Sequence, residues 1–253
     1  MNFVEPGVVG AVIAGGGGTN YHYAYGLGVW NLTNAVRADF STVAGGANNR
    51  VSAWPAFSSI GGGINNSING AQLSPSAAAT IGGRWANNID TGGEQSTIGG
   101  GSRNNIQTNA AASTITGGYL NAVAGAYSTV SGGVFNNTQV GCADAVIAGG
   151  AYNTIMEYVS DSAIGGGHYN TIWGHNSTVS GGMGNTITNS SECAIGGGYT
   201  NTLSGSEGST ISGGDANRIQ GDSPVATIGG GASNTIRDQA SPASADGEAV
   251  PLP

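Results

Sequence analysis

Two apolar positions recur along this chain with a fixed separation. The first is Ile13, Val43, Ile60, Ile81, Ile98, Ile115, Val130, Ile147, Ile164, Val179, Ile195, Ile211 and Ile228. The second follows eight residues later as Val51, Ile68, Ile89, Ile106, Val123, Ile155, Ile172, Ile187, Leu203, Ile219 and Ile236. In the first unit it is delayed to Val36, and in the Val130 unit Thr138 stands in its place. A glycine lies two residues after each first apolar position, and a second glycine follows it except at Arg84. The repeat of about 15–17 residues is the length of one coil of a solenoid. In units such as Thr210-Ile211-Ser212 polar residues flank the apolar one, which is strand alternation with a single inward side chain. The prediction is two short strands per coil, joined on one side by the glycine turn and on the other by a turn of variable length. The invariance of the first glycine predicts a positive φ or a close backbone approach there.

An asparagine precedes each second apolar residue by two: Asn34, Asn49, Asn66, Asn87, Asn104, Asn121, Asn136, Asn153, Asn170, Asn185, Asn201, Asn217 and Asn234. Stacked coils put these amides in columns, where they bond along the stack or cap the turn. A position shared by every coil reads as a structural ladder rather than a ligand site. The residue after each first aliphatic is always small, from Ala14 and Ala44 to Ser212 and Gly229. This outward stripe is read either as a surface that another backbone approaches in an oligomer, most simply a trimer, or as a crowded solvent face.

The fold expected for the 253 residues is therefore all-β: a single parallel β-solenoid (β-roll or β-helix), oligomeric, with about 13 coils of about 15–17 residues. At the usual strand spacing it would be about 60 Å long. It occupies residues 1–238, with an aromatic insertion at 17–33 and a low-complexity tail at 239–253. Alone, such a tail is expected to be disordered. If it is ordered, a neighbouring subunit is the expected support.

Composition narrows the function. Charged residues are 8% of the chain, lysine is absent and the net charge is −8, so no basic face for nucleic acid exists. The 48 glycines follow no G-X-Y period, which excludes collagen. No run of about 18 apolar residues is present, so membrane insertion is not expected. Met1–Gly10 lacks a basic stretch, and no cleavable secretory signal is read there. Cys142 and Cys193 lie about three coils apart, roughly 14 Å at the spacing of stacked strands, too far for an intrachain disulfide.

Stretches such as STVSGGMGNTITNSSECAIGGGYTNTLSGSEGSTISGGDANRI resemble the β-roll repeats of trimeric autotransporter adhesin heads. They are more similar still to glycine-rich arrays of phage tail-fibre-like surface proteins. The resemblance covers about residues 11–238 and implies a parallel solenoid, often trimeric, in an extracellular or virion-borne fibre. The chain departs from the adhesins in having no stalk, coiled-coil heptads, membrane anchor or recognisable C-terminal chaperone domain, so cell-surface anchoring is not expected.

Where the repeat breaks, function is expected, because insertions map to loops on one face. The insertion carries Tyr21, His22, Tyr23, Tyr25 and Trp30. The two-residue turn between glycine pair and asparagine is often aromatic or large elsewhere: Trp85, Tyr119, Phe135, Tyr152, His168, Tyr169 and Tyr199. Stacking would align these into an aromatic edge. It is read as a contact with a neighbouring subunit or as a groove for a glycan or cell-surface receptor. The insertion is also read as a cap on the first coil, whose open strand edge would template aggregation.

Sparse carboxylates pair in sequence as Asp90/Glu94 and Glu157/Asp161, and are read as solvated turn residues. A glycosidase would need such groups about 5–9 Å apart. His168 and His175 flank Trp173 without a third zinc ligand. No P-loop, nucleophile elbow or HExxH motif occurs. No catalytic residue, metal or cofactor is expected. The leading expectation is a non-enzymatic structural or adhesive fibre or filament subunit, extracellular or virion-borne, with itself as partner. Its alternatives are a tailspike-like polysaccharide depolymerase and a glycan-binding module. Ice binding, through Thr97, Thr114, Thr129, Thr178, Thr210 and Thr227, is weaker because Ala163 and Ala194 interrupt that row.

Overall fold

The structure is a computed structural model that describes residues 2–22, 29–54, 56–70, 78–237 and 244–245. It is an all-β parallel β-solenoid of about 11 turns, and no helix occurs among the described residues. The turns number fewer than the 13 repeats of the sequence. Ile13 and Ile236 each lie on a strand with a neighbour on one side only.

By contact density the chain divides into two compact units, residues 1–127 and 128–253. In the first, one parallel sheet holds Phe3–Val4, Ala35–Val36, Arg50–Val51, Ser67–Ile68, Asn88–Ile89, Asn105–Ile106 and Ala122–Val123. The other holds Val12–Ile13, Thr42–Val43, Ser59–Ile60, Thr80–Ile81, Thr97–Ile98 and Thr114–Ile115. The second unit repeats the plan, from Asn137–Thr138 to Thr235–Arg237 in one sheet and from Thr129–Val130 to Thr227–Ile228 in the other. Within each unit the two apolar positions pair in unshifted register, Ile81 with Ile98 and Ile155 with Ile172. A shift of one residue would turn every aliphatic to solvent, so burial fixes the register.

The interior is layered. From Val36 to Ile228 the aliphatics of both columns are essentially fully buried. Each contributes about 1.5–3 kcal/mol. The asparagines from Asn34 to Asn217 are fully buried as well. Their amide groups donate to the carbonyl of the glycine four residues back and to a glycine carbonyl of the next coil, as Asn153 does to Gly149 and Gly167, both at 3.0 Å. Each Oδ1 accepts the backbone N–H of the next asparagine, such as Asn170 N–H to Asn153 at 3.0 Å. The column thus satisfies the carbonyls of the glycine turn, which would otherwise be buried without partners.

A third inner column was not anticipated from the sequence. Two residues before each first aliphatic from Val43 on lies a buried Ser, Ala or Cys: Ser41, Ser58, Ala79, Ser96 and Ser113 in the first unit. In the second it runs Ser128, Ala145, Ser162, Ser177, Cys193, Ser209 and Ala226. Backbone N–H groups donate to the serine Oγ of the preceding coil, as Ser113 does to Ser96 at 3.0 Å and Ser177 to Ser162 at 3.1 Å. The two cysteines are free and buried on different columns. Burial pushes both thiols above their usual pKa, against the opposing effect of backbone hydrogen bonds.

The first glycine of each pair takes the expected positive φ in most coils, and the second adds a close backbone approach. Gly166 has φ +146° but open space where a Cβ would lie, whereas at Gly167 (φ +84°) a Cβ would strike the backbone of Gly182. The insertion is an antiparallel hairpin, Gly18–His22 against Val29–Leu32, with Tyr21 opposite Trp30 and His22 opposite Val29. Aromatic and β-branched residues favour that pairing. Tyr23 and Tyr25 lie outside the described residues. In the tail, Ser244–Ala245 pairs with Thr227–Ile228 within the same chain, although the repeat pattern has ended. An open strand edge accepts any extended backbone. The rest of the tail, 239–243 and 246–253, lies outside the described residues.

Thr138 is the one polar member of the second aliphatic column among the described residues. It is fully buried, and its Oγ1 has no hydrogen-bond partner. An unsatisfied buried hydroxyl costs about 1–3 kcal/mol. Thr138→Val keeps the shape and removes that cost, so it is expected to raise unfolding free energy by about 1 kcal/mol or more in urea titration. An unchanged or lower value would show that the hydroxyl is satisfied in solution.

Candidate functional site

The turn between glycine pair and asparagine brings two surface columns together. In the first unit the residue after the glycines runs Ala47, Ile64, Trp85, Ser102, Tyr119, bridged in parallel from coil to coil. In the second it runs Val134, Ala151, His168, Met183, Tyr199, Asp215, Ala232. The next residue of each turn has positive φ: Arg103 +56°, Leu120 +55°, Phe135 +56°, Tyr152 +57°, Tyr169 +57°. This left-handed conformation normally costs a non-glycine residue about 1–2 kcal/mol. Because it recurs coil after coil, it belongs to the architecture and does not mark one site.

The sequence-selected aromatics divide into two groups along this edge. In the first unit the Arg103 guanidinium lies 4.5 Å from the Trp85 ring centroid and donates to the Tyr119 hydroxyl at 3.3 Å, so that trio is internally engaged. In the second, Phe135, Tyr152 and Tyr169 form a ladder of stacked rings, with centroids 5.0 and 4.9 Å apart and planes within 13° of parallel. His168 is tilted against Tyr169 at 6.4 Å. The three ladder rings are 40%, 42% and 57% exposed, and Met183 and Tyr199 beside them are also exposed. Of the insertion aromatics, the backbones of Tyr21, His22 and Trp30 lie in the hairpin.

On the opposite, variable turn the structure forms a groove that the sequence reading did not identify. It has a volume of about 290 Å³ and is lined by Glu157, Tyr158, Val159, Trp173, Gly174, His175, Asn189, Ser190 and Ser191 from three successive turns of the second unit. His175 Nδ1 accepts the Ser160 backbone N–H at 3.1 Å, which puts the proton of the neutral ring on Nε2. A second stacked aromatic pair, Phe40 and Phe57 at 5.1 Å, occupies the variable-turn side of the first unit.

The remaining candidates separate. His168 lies on the glycine-turn edge and His175 in the groove. Among the described residues no three His, Cys, Asp or Glu groups are placed to hold a metal. Asp90 accepts from the side-chain amide of Asn88 at 2.8 Å, in an outward amide network with Asn69 and Asn105. Glu157 lines the groove and Asp161 does not. The threonine row is broken by Val146 as well as Ala163 and Ala194. An unbroken row lies on the other sheet instead: Thr154, Thr171, Thr186, Thr202.

The small-residue stripe is exposed, but part of its smallness has an internal cause. At Gly165 and Gly196 a Cβ would meet the carbonyl oxygens of Ser180 and Ser212 in the next coil. Compared with protein-family models, the chain matches none. It matches no curated protein either.

Proposed function

We propose that the chain is a non-enzymatic structural subunit of an extracellular or virion-borne fibre or filament, adhesive in the manner of the adhesin heads and tail fibres its repeats resemble. The observation that carries this reading is the ladder Phe135–Tyr152–Tyr169, an aligned apolar surface of half-exposed rings on a backbone held by interior columns. Large aromatic rings and Met are enriched where subunits meet. Repetition supplies the stiffness, since every coil buries its aliphatics against its neighbours. The bare stripe is a secondary contact surface, although part of its smallness serves the stacking of the coils themselves.

Electron microscopy with mass photometry on the purified chain tests this. Filaments or discrete trimers are the expected species, and Phe135→Ser/Tyr152→Ser/Tyr169→Ser is expected to shift the population to monomer without lowering the melting temperature by more than a few degrees. A monomer at all micromolar concentrations, or assembly indifferent to the triple change, would overturn the reading. A second reading, recognition of a glycan, draws on one separate observation: the groove on the variable turn.

A further inference from the structure

We infer that the groove between Tyr158 and Trp173 is a binding site for one ring of a neutral saccharide. This goes beyond the fibre proposal and uses a different face of the coil from the aromatic ladder.

The concavity has a cause in chain length. Six residues separate Ile172 from Val179, against eight between Ile155 and Ile164 and seven between Ile187 and Ile195. A short turn between two longer ones leaves a dent where its outer residues are missing. Gly174 lies at the bottom, buried, where a Cβ would collide with the Ser190 carbonyl oxygen, so the floor is held close to the next coil. The walls are fixed by backbone hydrogen bonds: Tyr158 N–H to Val140 O at 3.0 Å and Asn189 N–H to Trp173 O at 3.0 Å. Trp173 extends a three-residue strand and pairs with Thr188. The site is therefore preformed on ladder backbone, which lowers the ordering cost of binding.

The lining selects the ligand class. Tyr158 is 68% exposed and Trp173 46%, two flat amphipathic surfaces not used by the core. Around them stand His175 with an Nε2–H donor, the Asn189 amide with donors and an acceptor, the Ser191 hydroxyl and the Glu157 carboxylate as acceptor. Flat apolar faces beside mixed donors and acceptors match a pyranose, which has C–H faces and a rim of hydroxyls. The Glu157 charge, in a chain of net charge −8, disfavours uronic acids, sialic acids and phosphates. A quaternary ammonium would use the aromatic faces and the carboxylate but none of the donors. At about 290 Å³ the groove is at the lower limit of small-ligand pockets, roughly 300–1,000 Å³, which fits a single ring.

Ligand-observed NMR on the full chain tests this with glucose, galactose, mannose and N-acetylglucosamine, and with choline as the cationic probe. At least one of the sugars is expected to bind saturably at about millimolar affinity, as befits an open site of roughly 4 kcal/mol. Trp173→Ala is expected to weaken that binding at least tenfold, and Glu157→Gln severalfold. Both side chains lie on the surface, and unchanged melting would confirm folding of the variants. Silence from all four sugars, binding that survives Trp173→Ala, or choline binding in place of sugar binding would each overturn the assignment. Mass photometry on the same variants keeps this separate from assembly: a sugar-binding monomer would sink the fibre proposal and leave this one standing.

Discussion

Asn170→Asp is expected to lower the unfolding free energy of the second unit by about 3–5 kcal/mol at neutral pH, the usual cost of an uncompensated buried charge. Asn170 is fully buried. Its Nδ2 donates to Gly166 O at 2.9 Å and Gly182 O at 3.1 Å. Its Oδ1 accepts from Asn185 N–H at 3.0 Å. Aspartate keeps the acceptor but presents a second oxygen to two carbonyl oxygens, so it loses two hydrogen bonds and adds repulsion. Burial would raise the new carboxyl's pKa above its unfolded value of about 3.9. The linkage sign follows: below about pH 4 the acid is protonated in both states and the charge penalty vanishes. As pH rises above that value, the variant loses stability relative to the parent. Urea titrations at pH 4 and pH 7 should therefore show a larger deficit at pH 7. Equal deficits at the two pH values would mean that the column is solvated. Asn170→Ala leaves Gly166 O, Gly182 O and Asn185 N–H without these partners, and its deficit should not depend on pH.

The aliphatic and asparagine columns were legible because they must be the same chemistry in every coil. A buried Ile such as Ile164 stacks on its counterparts Ile147 and Val179 in the adjacent coils, and each asparagine performs the same three-way capping. The serine column was harder to see. Ser, Ala and Cys all fit that small space, and in a chain rich in small polar residues Ser162 or Cys193 does not stand out. The left-handed residues were hidden for a different reason. Phe135, Tyr152 and Tyr169 are poor formers of that conformation, so nothing in their identity announces the turn they occupy. Stacking and the asparagine cap impose it. The groove was illegible because it is made by a difference in turn length. Glu157, Trp173 and Asn189 come from three turns about 16 residues apart, and only coil-to-coil registration brings them together. Reading Trp173 between His168 and His175 along the chain grouped residues that the solenoid sends to opposite edges.

Gly182→Ala carries the other large expected effect. Gly182 sits at φ +85°, where an L-residue is strained, and a Cβ would lie 2.7 Å from both Gly198 N and Asn185 Nδ2, with the Gly198 carbonyl oxygen closer still. The obstacles are the backbone of the next coil and the amide that caps the turn, neither of which yields like a flexible side chain. Relief requires the coils to part, which lengthens the asparagine bonds and opens the aliphatic stack together. The expected cost exceeds the 1–2 kcal/mol of left-handed strain alone. Gly184, two residues on, separates the two causes. It has φ +67° but only Thr200 Cγ2 near a Cβ, at 3.3 Å, with the Thr200 Cα at 4.0 Å. Gly184→Ala should therefore show little beyond the conformational term. Arg84 supplies the reverse experiment, since it occupies the Gly182 position of its own coil with φ +76°. Arg84→Gly removes a strained side chain from the tightest point of the turn and should stabilise the first unit by about 1 kcal/mol. If Gly182→Ala and Gly184→Ala melted alike, close stacking at the second glycine would not be what holds adjacent coils in register.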